Sequence, residues 1–94
     1  PWASPLADAL VAATARHDAT APVLPFMLYA VTDAKHLVKL PSLRHLYGYN
    51  PLRAPRGFSL PEQLHAVDER VPADGVIFGA RVMTDLVRDF CARA

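Results

Sequence analysis

Apolar and polar positions divide the chain into five elements. Ser4-Pro5 has the form of an N-cap followed by proline at the first helical position. Leu6, Leu10, Ala13 and then His17 follow at helical spacing, with Val11 widening the stripe, so a helix is expected from Pro5 to about His17. Val23 to Val31 is a continuous apolar run, short enough for a buried strand, in which Pro25 removes one ladder donor and suits an edge or bulge. Thr32-Asp33 supplies a capping hydroxyl and an acid for a short helix through Leu37, Val38 and Leu40, which Pro41 stops. Leu43 to Tyr49 is the second expected strand, closed by Asn50-Pro51. Asn50 to Leu64 holds three of the nine prolines plus Gly57, and its length favours a functional loop over a simple connector. In the last helix Val76, Ala80, Met83, Val87 and Phe90 step by four and three, one apolar stripe predicted to face the core. Asp74, Arg81, Asp85, Arg88, Asp89 and Arg93 populate its other faces, with Arg81/Asp85 and Asp89/Arg93 four apart.

The order is α-β-α-β-α, an α/β class. The connection between the two strands is long enough for a parallel, right-handed crossover. There is no internal repeat.

Composition narrows the picture. A chain of 94 residues suits one small unit or a piece of a larger domain. At that size about two thirds of the unfolded surface can be buried. With 52% hydrophobic residues against 20% charged, there is more apolar surface than so short a chain can hide, which points to missing neighbouring structure or a permanent partner. The missing initiator methionine favours the excerpt. A formal charge of +1 with no dense Lys/Arg face argues against nucleic-acid binding. No apolar run approaches the roughly 20 residues that span a bilayer, and the N-terminus lacks the basic start and apolar core of a signal peptide. The single cysteine, Cys91, excludes an internal disulfide and fits a reducing, cytoplasmic location. It is expected to be a buried structural thiol.

Few residues carry candidate chemistry. His65 stands at the end of the proline-containing loop, where rigid elements on both sides could hold a metal ligand. Asp68 and Glu69 lie close enough in sequence to orient its ring, or to begin the last helix. The plainer reading is a solvent-facing histidine. Thr32-Asp33 joins a strand end to a helix start, a place where α/β proteins bind ligands, although capping alone accounts for it. Arg53 and Arg56 could clamp a carboxylate, and His17, His36 and His45 show no ligand spacing. No phosphate loop, Cys-x-x-Cys pair or Gly-x-Ser-x-Gly elbow is present.

Thr32-Asp33-Ala34-Lys35, then Tyr47-Gly48-Tyr49-Asn50-Pro51-Leu52-Arg53, then Leu64-His65-Ala66-Val67-Asp68-Glu69-Arg70-Val71-Pro72, then a long closing helix, occur in that order. The series resembles the C-terminal end of the di-zinc metallopeptidases that include aminoacylase, glutamate carboxypeptidase and succinyl-diaminopimelate desuccinylase. The resemblance implies residues 1–94 are one unit of a larger hydrolase-like catalytic domain, without its lid or dimerisation domain. It implies two zinc ions, with manganese or cobalt as alternatives, and an N-acyl amino acid or small peptide as substrate. It assigns His65 to one zinc, Thr32 and Asp33 to substrate contact, and Asp68 and Glu69 to support behind the metal ligand. It places no catalytic acid or base here, since the family's other ligands lie upstream, so the chain alone is expected to be inactive. The partners it implies are the rest of the catalytic domain and, in some members, a second copy. The chain departs from the family at Ala30-Val31 and at Ala66, where glycines are common.

The leading expectation is therefore a segment of a metal-dependent amidohydrolase. An interaction module that keeps the fold without the site is the alternative, favoured by those departures. An anion-binding domain using Thr32 with Arg53 and Arg56 has no phosphate loop to support it.

Overall fold

The computed structural model describes residues 2–27 and 30–93. They form four helices: α1 (Pro5–His17), α2 (Ala34–Leu37), α3 (Leu60–Gln63) and α4 (Ala73–Cys91). Among the described residues there is no strand, so the expected α-β-α-β-α order in an α/β class is corrected to a small helical architecture. The reason is that a strand exists only through a neighbour that takes its backbone hydrogen bonds. Neither Val23–Val31 nor Leu43–Tyr49 finds such a neighbour, although Leu28 and Tyr29 of the first run lie outside the described residues. The second run still behaves locally as extended chain: Tyr47 and Tyr49 are half-buried and Gly48 and Asn50 exposed, the period-two alternation of a pleat.

Local chemistry explains α1. Ser4 is extended (φ −164°) and its Oγ accepts from the Ala7 amide at 3.1 Å, with Pro5 in the first turn. Asp8 in the first turn and Arg16 and His17 in the last suit the helix dipole. Its buried face is made of small residues, Ala7, Ala9 and Ala13, around Leu10 and Thr14, while Val11 stays exposed. Such a face lets a second helix approach closely.

That helix is α4, and α1 and α4 are the one pair of helices that pack together among the described residues. Val82 is fully buried between them, with Leu86, Leu10, Ala9 and Ala13 completing the core. The stripe predicted to face inward does not. Val76, Met83, Val87 and Phe90 are exposed, and the inner face is Gly75, Val82 and Leu86. On a helical wheel that face lies about a third of a turn from the predicted stripe, so α4 carries two apolar faces and α1 covers one.

Gly75 and Gly79 form a seat for the loop after Tyr49. A Cβ on Gly75 would stand 2.0 Å from the Arg53 carbonyl oxygen, and one on Gly79 2.6 Å from that of Pro51. Tyr47 and Tyr49 fasten the same segment to α1. The Tyr47 hydroxyl lies 2.8 Å from Ser4 Oγ and donates to the Trp2 carbonyl at 3.3 Å. Thr14 Oγ1 donates to the Leu10 carbonyl, so the bond joining Thr14 and Tyr49 is donated by the tyrosine.

The short helices differ from expectation. α2 stops at Leu37 instead of reaching Leu40. α3 interrupts the stretch expected to be pure loop, started by Pro61 in its first turn. Cys91 is exposed, not a buried thiol.

Candidate functional site

His65 follows α3 directly. Leu64 closes that helix with its amide on the Leu60 carbonyl, and the Ala66 amide then reaches Gln63 at 3.1 Å. To make this turn His65 takes φ +59°, the one non-glycine residue with positive φ among those described. For a residue with a Cβ the left-handed conformation costs about 1–2 kcal/mol. The side chain is exposed and makes no hydrogen bond or ion pair among the described residues. Two residues earlier, Gln63 Oε1 is buried with no donor, an unusual state for an amide oxygen.

Asp68 and Glu69 are exposed, and neither bonds to His65. They do not begin the last helix either: α4 starts at Ala73, with Pro72 at its cap. Thr32 Oγ1 accepts from the Ala34 amide at 3.3 Å, so this hydroxyl serves as a local cap. Asp33 is exposed and its carboxylate makes no cap bond. No hydrogen bond or ion pair joins Thr32-Asp33 to His65 among the described residues.

A catalytic zinc needs about three protein ligands. Among the described residues no group of three His, Cys, Asp or Glu side chains could hold a metal. His65 can therefore offer one imidazole, and the donors present do not by themselves fit a zinc ion.

The densest polar cluster lies where the end of α1 meets α4. His17 Nε2 donates to Asp85 Oδ2 at 2.6 Å, Arg16 reaches Asp89 at 2.6 Å and Asp85 at 3.4 Å, and Arg88 stands 3.6 Å from Asp85. The expected pairs Arg81/Asp85 and Asp89/Arg93 do not form, because both acids turn toward α1. The His17 hydrogen bond, followed by the charge of Arg16, holds the Asp85 carboxyl below the ordinary carboxylate range. Asp18 is also held low, first by the Thr20 hydroxyl and amide and then by Arg53 at 3.0 Å. Arg53 in turn lies over the Phe78 ring, 4.4 Å from its centroid.

The sequence signal for this cluster was present but ambiguous. Arg16-His17 sit in the last turn of α1, and Asp85 and Asp89 are one turn apart on α4. Pairing them requires knowing which face of α4 meets α1. Arg56, His36 and His45 are exposed; His45 stacks on Tyr47 at 6.3 Å between ring centres. Among the described residues no helix is long and apolar enough to cross a membrane. Comparison with protein-family models, curated proteins and solved structures found no match.

Proposed function

We propose that the chain is the C-terminal segment of a metal-dependent hydrolase that cleaves amide bonds of N-acyl amino acids or small peptides. In this reading His65 contributes one imidazole, and Thr32 and Asp33 line the substrate side. The observation that carries it is the state of His65: its side chain is exposed and without a partner among the described residues, on a backbone held at φ +59° by the turn that ends α3. The order of the three motifs before a terminal helix supports the same reading. The remaining donors and the general base belong to protein outside these residues, as do the acceptors that would orient the imidazole if Asp68 and Glu69 do not.

The test uses the full protein that carries this chain. Metal analysis should find about two ions per chain, and His65→Ala should lose one and abolish hydrolysis of N-acetyl amino acids. Full activity and unchanged metal content in His65→Ala overturn the assignment. An upstream sequence without further metal-ligand motifs favours the second reading, a non-catalytic interaction module, which the exposed apolar residues of α4 also suit.

A further inference from the structure

A cleft of about 450 Å³ opens along α4, lined by His17, Arg53, Asp74, Ile77, Phe78 and Arg81. His65 is not part of it. Two of its polar groups are already committed: His17 to Asp85 and Arg53 to Asp18. Asp74 and Arg81 have no hydrogen bond or ion pair among the described residues. They are seven positions apart, so they share one face of α4 at a separation of about 10 Å along the axis, and they do not pair with each other. Ile77 and Phe78 lie between them, with Ile77 half-exposed and Phe78 under the Arg53 guanidinium. An adjoining depression of about 340 Å³ continues past Ala80 and Thr84. The order along the helix is thus an uncommitted carboxylate, an apolar floor and an uncommitted guanidinium.

We propose that this cleft binds a short zwitterionic peptide of about three residues with apolar side chains. Its ammonium faces Asp74, its side chains lie on Ile77 and Phe78, and its carboxylate meets Arg81. The charge count selects the class: one free anion and one free cation suit a zwitterion, whereas a phosphate dianion would face Asp74 unpaired. Length selects the size, since an extended residue spans about 3.3–3.6 Å and three span about the axial separation of positions 74 and 81. The site stands apart from His65 and needs no metal, so its success or failure is separable from that of the hydrolase reading.

The test is a titration of Leu-Leu-Leu into metal-free full protein, followed through the Ile77 methyl and Phe78 ring resonances. Saturable, millimolar binding is expected. N-acetylation or C-amidation of the peptide should each weaken it about two- to fivefold, the range of a solvent-exposed ion pair. Arg81→Ala should abolish the penalty of C-amidation and Asp74→Ala that of N-acetylation, while Arg93→Ala, just past the end of α4, should leave both penalties intact. Displacement of the peptide by an equal concentration of inorganic phosphate overturns the proposal. So does binding indifferent to both caps, or no saturation.

Discussion

His65 and the two depressed aspartates test the residue scale. Glycine is the residue suited to φ +59°, so His65→Gly should relieve left-handed strain of about 1–2 kcal/mol, offset by about 0.5–1 kcal/mol of added unfolded-state entropy. The expected net gain is about 0.5–1 kcal/mol in denaturant unfolding, with His65→Ala giving none. A gain confined to the glycine variant would locate the strain in the left-handed backbone of His65. Equal stability of the two variants would mean the turn relaxes without strain. The pH dependence is set elsewhere. Asp85 and Asp18 are held below the ordinary carboxylate range by His17 and Thr20 respectively. A carboxyl whose folded pKa is depressed stabilises the fold above its unfolded pKa, near 4, and that contribution is lost as pH falls through the folded value. The contribution of these two carboxyls to thermal stability should therefore be lost as pH falls below about 4. His17→Gln should make that acid decline shallower, read from circular-dichroism melts across the range. An unchanged slope would assign the acid sensitivity to other carboxyls.

At the scale of elements, α4 decides most of what can be measured. Alanine normally stabilises a helix interior over glycine by about 1 kcal/mol. At Gly75 the added Cβ meets the Arg53 carbonyl at 2.0 Å, a backbone atom with no easy way to yield. Gly75→Ala should therefore destabilise by about 2 kcal/mol, an overpacking cost that exceeds the propensity gain. The two apolar faces can be told apart in the same way. Val82→Ala, at a fully buried position, should cost about 2 kcal/mol. Val87→Ala, on the exposed stripe, should cost less than about 0.5 kcal/mol. Reversal of that order would restore the stripe first read from periodicity. What was legible in the sequence follows the range of the interactions. Ser4-Pro5 declared α1 because its cap is made within four residues. The stripe on α4 declared a helix but not its inner face, since Gly75 and Gly79 register in no hydrophobic pattern. Val23–Val31 and Leu43–Tyr49 have strand composition, yet pairing depends on chain far away in sequence or beyond these residues. Of the candidate site, His65 drew attention by its place before an expected helix start, but α4 begins only at Ala73 and the residues between are mostly exposed. The cleft between Asp74 and Arg81 was not legible, because its wall comes from Arg53 on a distant loop.

For the whole molecule, exposed area is the telling quantity. A compact monomer of this mass should expose roughly 5,400 Å², and this chain exposes 7591 Å², about two fifths more. Its one helix–helix seam among the described residues is that between α1 and α4, and its least extent is 18 Å. Exposed apolar side chains run through most of the chain, and two segments carry many of them. Leu24, Phe26, Met27 and Val31 lie on the segment after α1, and Val76, Met83, Val87 and Phe90 on the outer face of α4. Patches of this kind on a monomer associate or aggregate unless covered. Prepared alone, the chain should bind a hydrophobic dye strongly and sediment with a mass that rises with concentration. It should also melt over a broad range, since a core built around Ala9, Leu10, Ala13, Val82 and Leu86 supplies little cooperativity. Replacing Phe26, Met27 and Val31 with serine should reduce dye binding and self-association while leaving helical content unchanged, because none of the three touches the core. A dye-silent monomer with one sharp transition would show that the chain covers its own apolar surface, and the inference that it folds against a larger catalytic domain would fall with it.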